Sequence, residues 1–494
     1  MILIESNFGK NTYDIHSLTK AFYPDEEVRI TGVDIPRGDD CHTVINPENC
    51  GKVGKLVYKS DKGDIFEIKV PTDDRDELKR IIYRTLSKRT GRELPWGSLT
   101  GIRPTKLVRN RIEAGMSDEE IKNDMKQCYY ISQEKMRLAL EIAKREIALM
   151  TPLSPSNHYS LYLNIPFCPT RCLYCSFTSN AIGKDRRRVS DYLDALKKEI
   201  IETAPVMNGR ILDTVYMGGG TPTALLPEEL DSLLSVLGAH FDMRNVHEFT
   251  VEAGRPDSIS EEKLKVLKAH NVTRISVNPQ TMNQKTLDLI GRRHTPVQTI
   301  EAFELARAAG FDNINMDMIL GLPEEGAEDV RYTVMELCKL KPDSLTIHSL
   351  ALKRASVLNE MLTEDRRGGD STETGVICTA GGVTPGEAEE MMRIASAGAE
   401  SMGMHPYYLY RQKNITGNLE NTGYARDGRY GLYNILINEE VQDILALGTG
   451  AISKRIDSGG NTKRSANYKA VHDYIANVDE MIERKKRLYG IISV

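Results

Sequence analysis

The stretch Tyr162-Leu-Asn-Ile165-Pro-Phe-Cys168-Pro-Thr-Arg-Cys172-Leu-Tyr174-Cys175-Ser-Phe177 places three cysteines at C-x3-C-x2-C, directly after an apolar, β-prone run from Ser160 to Ile165. Thiolates are the ligands of iron–sulfur clusters, and four cysteines saturate a cubane. A compact group of three leaves one iron without a protein ligand, and an open coordination position distinguishes a reactive metal site from a structural one. Cys168, Cys172 and Cys175 therefore read as a [4Fe–4S] site whose fourth iron takes a small molecule. Two other readings of the spacing stand beside it: a zinc site completed by His158 or Cys338, and three ordinary buried thiols. Zinc ligands usually come as paired C-x2-C units, and no second pair follows here.

Around this loop the chain becomes rhythmic. Strand-like runs are expected at Leu161–Ile165, Thr214–Met217, Glu248–Glu252, Arg274–Val277, Asn313–Met316 and Ser344–Ile347. Helical stretches are expected between them at Val189–Thr203, Pro227–Leu237, Glu261–His270, Thr299–Ala309 and Glu328–Leu340. Strands alternating with helices imply βαβ crossovers and a parallel sheet. Six units are fewer than a closed eight-stranded barrel needs, so the expected fold is α/β, a partial (β/α)6 barrel. In such folds functional residues come from the carboxyl ends of strands.

Those ends carry a consistent chemistry. Gly218-Gly219-Gly220-Thr221-Pro-Thr223 follows the second strand, and no Gly-Lys-Ser/Thr follows to make it a phosphate loop. Glu252 ends the third, Gln280 follows the fourth, Arg292 and His294 end the next helix, and Asp317 precedes Gly321-Leu-Pro323. Guanidinium for a carboxylate, and Glu, Gln and Asp for amine and hydroxyls, suit an amino acid joined to a ribose. For any one residue a structural hydrogen bond or a surface charge explains as much; their shared placement favours a site. His348, ending the sixth strand, is as readily a core histidine as a catalytic one.

Together these motifs resemble radical S-adenosylmethionine (SAM) enzymes. More narrowly they resemble the oxygen-independent coproporphyrinogen III oxidase family and its relatives, including a heme-chaperone branch. The resemblance implies that Cys168, Cys172 and Cys175 ligate the cluster, and that Tyr162 and Tyr174 flank it and contact SAM. It implies that Gly219, Gly220 and Thr221 hold the methionine amine, that Glu252, Gln280, Arg292 and Asp317 bind methionine and ribose, and that Ala351 lies near the adenine. The implied reaction is oxidative decarboxylation of coproporphyrinogen III propionates to vinyls, giving protoporphyrinogen IX through a 5′-deoxyadenosyl radical, in heme (porphyrin) biosynthesis. The implied partners are a tetrapyrrole or heme and an electron donor such as flavodoxin or ferredoxin. Arg292, Arg293, Lys353, Arg354 and Arg411 are candidate anchors for propionates. An alternative is a heme-binding trafficking protein that keeps the cluster without decarboxylating, and a third is a radical SAM enzyme on another substrate.

The sequence departs from both branches. Coproporphyrinogen oxidases proper carry another cysteine two residues after the third ligand, where Phe177 stands here. The chaperone branch has His-Asn-x-x-Tyr-Trp, and this chain offers Glu420-Asn421-Thr-Gly-Tyr424-Ala425, lacking the heme-ligating histidine. Ala446-Leu-Gly448-Thr-Gly450-Ala451 resembles a glycine turn shared near the end of these proteins.

The flanks and composition complete the reading. Residues 1–150 are expected to form an α+β accessory domain, 158–355 the partial barrel, and 356–494 an α+β extension on the tetrapyrrole side. Strands are expected at Met1–Glu5, Lys52–Tyr58 and Asp64–Val70, and helices over Asp74–Lys88, from the capping box at Ser117, and over Gln133–Met150. The run Leu94 to Lys106, with the chain's only tryptophan, Trp96, is turn-rich. The preferred reading is a structured loop that packs Trp96 into an inter-domain seam; the other presents Arg103 and Lys106 to an acidic ligand or partner. Thr151–Asn157 reads as a linker, Thr363–Gly382 as a loop, Pro385–Met402 as a helix and His405–Arg411 as a strand. In 494 residues, 65 Lys and Arg against 70 Asp and Glu give a net charge of −5, no footprint for nucleic acid or an anionic membrane. No basic, apolar leader and no membrane-length apolar run is found, and eight scattered or clustered cysteines are no disulfide scaffold, so a cytoplasmic setting is expected.

Overall fold

A computed structural model describes residues 1–6, 11–24, 26–31, 54–61, 63–70, 74–153, 157–175, 180–183, 186–351, 383–412, 418–457 and 459–491. Phe177, Lys353, Arg354 and the expected loop 363–382 lie outside these residues, as does part of the expected linker.

The N-terminal region opens with a four-stranded sheet: β1 (Ile2–Ser6), β2 (Val28–Thr31), β3 (Gly54–Ser60) and β4 (Ile65–Val70), in the order β2-β1-β3-β4. Helix α1 (Thr12–Phe22) and helix α2 (Arg75–Thr90) cover it, burying Ile15, Leu18, Leu78 and Ile82 against Ile4 and Leu56. Asp74 caps α2 by accepting from the Glu77 amide at 2.7 Å, and Gly91 closes it in the left-handed region. Three helices follow: α3 (Pro104–Glu113), α4 (Asp118–Tyr129) and α5 (Gln133–Met150). The turn-rich run therefore ends earlier than expected, because Pro104 takes the first helical position, where its missing N–H costs nothing. Ser117 and Glu120 form the expected capping box.

The central sheet holds the rhythm seen in the sequence. Its first six parallel strands are β5 (His158–Ile165), β8 (Ile211–Gly219), β9 (Glu248–Glu252), β10 (Arg274–Ser276), β11 (Ile314–Leu320) and β12 (Ser344–Ser349); β6 (Phe167–Cys168) and β7 (Asn180–Ala181) form a two-stranded ribbon beside them. They lie in chain order and are joined by α6 (Arg187–Thr203), α7 (Pro227–His240), α8 (Glu261–Ala269), α9 (Gln284–Leu289), α10 (Pro296–Ala308) and α11 (Ala327–Leu340). The helices pack Leu196, Leu233, Leu264, Phe303 and Val334 onto Leu161, Val215, Phe249, Ile275 and Met316 in one continuous core.

The remaining chain extends both edges. After α12 (Pro385–Ser401), strands β13 (His405–Tyr410) and β14 (Asn421–Ala425) add antiparallel next to β12. After α13 (Leu432–Glu439), β15 (Asp443–Leu447) pairs parallel to β5, and β16 (Ile452–Ile456) and β17 (Thr462–Ala466) continue from it antiparallel. Helices α14 (Val471–Ala476) and α15 (Val478–Leu488) end the described chain and pack on α6. The parallel set thus has a seventh strand beyond the six expected. It comes from the far end of the chain, where Asp443 aligns with Tyr159. Among the described residues the order runs β13-β14-β12-β11-β10-β9-β8-β5-β15-β16-β17 without β13 pairing to β17, a partial barrel.

Candidate active site

The cysteine loop leaves the carboxyl end of β5 and is fastened to the glycine turn that leaves β8. The Gly220 amide donates to the Ile165 carbonyl at 2.8 Å and the Thr221 amide to that of Phe167 at 2.7 Å. The Thr221 hydroxyl lies 3.5 Å from the Cys168 sulfur. The glycines are required here. A Cβ on Gly220 would meet the Phe167 oxygen at 2.6 Å and the Ile165 oxygen at 2.8 Å, both backbone atoms that cannot swing away. Gly219 has φ +102°, and a Cβ on it would sit 1.8 Å from Asn164 Oδ1. On the other flank the Leu173 amide donates to the Ile290 carbonyl at 3.0 Å, next to the turn carrying Gly291 and Arg292.

A cavity of about 740 Å³ collects the strand ends. It is lined by Cys168, Cys172 and Cys175, by Tyr162 and Tyr174, by Gly219, Gly220 and Thr221, and by Glu252, Gln280, Arg292, Asp317 and Ala351. Residues from nearly two hundred positions of sequence are brought together as the strand-end rule expects. Cys172 is buried, Cys168 and Cys175 half-buried, and burial pushes the Cys168 thiol up to about 11, partly offset by Thr221. His158 begins β5, at the opposite end from the loop, with its Nδ1 2.8 Å from Asp213; the Cys338 thiol donates to the Gly398 carbonyl on α12. Neither lies among the cavity's lining residues. Among the described residues no three His, Cys, Asp or Glu side chains converge closely enough to hold a single ion. A cubane does not ask for that, since each of its thiolates binds a different iron.

The polar groups differ in how committed they are. Gln280 sits at φ +68° in the left-handed region, held by its amide donating to the Asp317 carbonyl at 3.0 Å and its carbonyl accepting from Ile319 at 2.9 Å. Its side-chain oxygen is buried without a partner among the described residues, an acceptor open to a ligand donor in a strained loop. Glu252 accepts from the Tyr216 hydroxyl at 2.6 Å, yet burial, with Asp317 nearby, pushes its carboxyl up to about 7. Asp317 accepts from Asn315 at 2.7 Å and lies 3.7 Å from His348 Nε2; burial opposes its charge, but these partners outweigh burial and hold the carboxyl below the usual range.

Arg292 differs from its expected part. Its terminal nitrogens donate to the Gly254 carbonyl at 2.6 Å, the Asn278 carbonyl at 2.7 Å and the Tyr174 hydroxyl at 3.0 Å, leaving only Nε without a partner. In this arrangement it braces Tyr174 and the β9 and β10 loops and has no open fork for a carboxylate. Arg293 is exposed and does not line the cavity; Arg411 is buried and does. Two contributors escaped the sequence reading. Arg255, buried three residues after Glu252, donates to Thr170 at 2.9 Å and approaches the Cys172 sulfur at 3.9 Å. Tyr433 stacks on Tyr216 with centroids 4.5 Å apart, and both stand near Tyr162. Arg255 was open to the strand-end rule; Tyr433, from α13, offered no local signal.

A model of the Radical SAM superfamily matches residues 163–337. The chain is 41% identical over 416 residues, 83% of its own length and 80% of the relative's, to the oxygen-independent coproporphyrinogen-III oxidase-like protein HemZ of Bacillus subtilis (strain 168). It is 33% identical over 252 residues to the heme chaperone HemW of the same organism, covering 51% of this chain and 62% of that one. It is 31% identical over 197 residues to the oxygen-independent coproporphyrinogen III oxidase of Escherichia coli (strain K12), 40% of this chain and 43% of that one. The solved coproporphyrinogen III oxidase (HemN) from Escherichia coli shares the fold with a TM-score of 0.52 at 23% identity, over 68% of this chain and 72% of the other. The fold and the three-cysteine loop define a radical SAM protein, a class whose members carry a [4Fe–4S] cluster and bind SAM. Within that class the chain belongs to the family of oxygen-independent coproporphyrinogen-III oxidase-like proteins. The donor set fits both groups: three thiols on one wall, and the unpartnered Gln280 oxygen among the strand-end acceptors. Among the described residues no helix is long and apolar enough to cross a membrane.

Proposed function

We propose that this protein is a radical SAM enzyme of heme metabolism that oxidatively decarboxylates propionate side chains of coproporphyrinogen III to vinyl groups. Cys168, Cys172 and Cys175 hold the cluster, and Tyr162, Tyr174, Gly219, Gly220, Thr221, Glu252, Gln280, Asp317 and Ala351 receive SAM. The observation that carries this reading is that all these residues line one cavity together with the three thiols. When bound, the cluster and SAM would supply hydrogen-atom abstraction from substrate by a 5′-deoxyadenosyl radical. Each propionate would lose CO2, the hydrogen atom, which ends on the 5′-deoxyadenosyl carbon, and one electron, which passes to a one-electron acceptor, to become a vinyl group. A one-electron donor of the flavodoxin or ferredoxin class reduces the cluster.

The chain's own residues bind, orient and exclude water. Gln280 accepts through Oε1 and Glu252 through the carboxylate that Tyr216 already steadies. Arg292 holds Tyr174 against the cysteine loop. Arg255 beside the Cys172 sulfur stabilises negative charge there, a lever on cluster potential. Tyr162, Tyr216 and Tyr433 form an aromatic wall that keeps water from a reactive species.

The heme-trafficking alternative is disfavoured by one residue. Glu420, standing where the chaperone branch carries its histidine, is buried and accepts from Trp96 Nε1 at 2.7 Å and Lys135 Nζ at 2.7 Å. Anaerobic incubation with SAM, dithionite and coproporphyrinogen III, followed by mass analysis, tests the proposal. Product two carboxyl groups lighter is expected; stoichiometric heme binding with no turnover would overturn it.

A further inference from the structure

The same cavity is lined by side chains far from the cysteine loop: Ile102 and Arg103 from the loop before α3, Arg411 after β13, and Ile452 and Lys454 of β16. Ile102 is 50% exposed and Ile452 46%, so two apolar side chains face solvent at the rim. The loop is fixed to the C-terminal region, since the Arg411 amide donates to the Ile102 carbonyl at 2.8 Å.

The charge at this rim is unbalanced. Arg103 Nη1 lies 3.0 Å from Glu440 Oε2, and Lys454 and Arg464 reach Glu440 Oε1 at 2.7 and 2.9 Å. One carboxylate thus gathers three cations. Glu440 does so from φ +51°, a backbone region costly for a glutamate, and the three cations outweigh the burial of its carboxyl and hold it down at about 2. The neighbouring carboxylates are engaged elsewhere: Glu439 lies 2.7 Å from Arg109, and Glu420 accepts from Lys135. Among the described residues Arg411 makes no ion pair; its terminal nitrogens donate to the Leu99 carbonyl and to Asn418. Among the described residues the Nε atoms of Arg103 and Arg411 are both buried without an acceptor.

Surplus positive charge, an Arg103 guanidinium engaged only through Nη1 and two exposed isoleucines describe a surface for a ligand that is apolar in its body and anionic at its edges. We infer that Ile102, Arg103 and Lys454 form the substrate side of the cavity, Ile102 against the body and the two cations on the carboxylates of a flat, multiply carboxylated macrocycle, so that the N-terminal region contributes directly to substrate recognition. This rests on the reading of the site as one that processes a carboxylated tetrapyrrole.

The test compares two fluorescent probes, coproporphyrin III and its tetramethyl ester, titrated into the anaerobically reconstituted full chain. Wild type is expected to prefer the tetracarboxylate. Arg103→Gln and Lys454→Gln should each weaken binding of the tetracarboxylate by about tenfold, as loss of a charge-assisted hydrogen bond does. Ester binding should change little, and Lys454→Arg should retain the preference. A variant that merely misfolds would lose both probes alike, which is why the ratio is the readout and two separate positions are tested. Equal wild-type affinity for both probes, binding of neither, or parallel losses for both would overturn the inference. Tetracarboxylate binding without any decarboxylated product would leave this surface standing and sink the decarboxylase reading. Turnover with unchanged tetracarboxylate affinity in both variants would sink the surface alone.

Discussion

At the scale of single residues the site depends on atoms that have no room to change. Gly220→Ala sets a Cβ against two backbone oxygens, and overpacking of this kind costs about 1–3 kcal/mol. Because the same turn is bonded to the cysteine loop, the variant is expected to melt lower and to retain less iron after reconstitution; full iron content at unchanged melting temperature would contradict this. Glu252 gives a pH dependence. Its carboxyl is raised to about 7, so its neutral form favours the folded, ligand-free protein at low pH, and that contribution is lost as pH rises through 7. On the proposed role of Glu252 as an acceptor for SAM, the ionised form is the one that binds, so SAM affinity should strengthen from pH 6 to pH 8, and calorimetry should show proton release at the lower pH. Glu252→Gln should bind SAM at least about tenfold more weakly, with that slope gone. That the cysteines and the strand-end polar residues gather at one cavity was legible because each sits next to a local strand signal. The committed donors of Arg292 were not, since the carbonyls of Gly254 and Asn278 become its partners only after β9 and β10 lie side by side.

At the scale of elements, six strand–helix units could be read because period and turn chemistry are local properties. Strand β15 could not: Asp443-Ile-Leu-Ala-Leu447 is a short apolar run whose identity comes from pairing with β5, nearly three hundred residues away. What fixes that edge is a buried polar cluster. Glu199 on α6 accepts from the Gly448 amide at 2.7 Å, Tyr474 Oη at 2.6 Å, Asn467 at 2.9 Å and Lys485 Nζ at 2.7 Å. Glu199 and Lys485 are wholly buried. Glu199→Ala leaves an uncompensated ammonium there and is expected to destabilise the protein by about 3–5 kcal/mol, measured by chemical denaturation. A loss under about 1 kcal/mol would mean that the glycine turn after β15 is held by other contacts.

At the scale of the whole molecule, regions distant in sequence share one seam and one cavity. Trp96 was expected in an inter-domain seam, and it is fully buried beside Leu409 of β13, its indole N–H on Glu420. As the chain's only tryptophan it reports on that contact. Its emission should be blue-shifted in the native protein and shift red in the same transition that bleaches the cluster. A red shift at lower denaturant, with the cluster intact, would mean that the N-terminal region comes away independently. The partners of Arg103 and Arg411 were hidden in the sequence for the same reason: Glu440 and Leu99 meet them only once the regions have docked. The central claim is that three thiols hold a cluster with one iron open to SAM. Its most direct test is the anaerobically reconstituted, dithionite-reduced protein, followed by electron paramagnetic resonance before and after SAM is added, with 5′-deoxyadenosine measured in the same tube. About four irons per chain, a signal that changes on SAM addition and 5′-deoxyadenosine formation are expected, with all three lost in Cys172→Ala. A protein with no iron–sulfur absorbance, or one that holds a tetrahedral zinc on these thiols, would contradict the account.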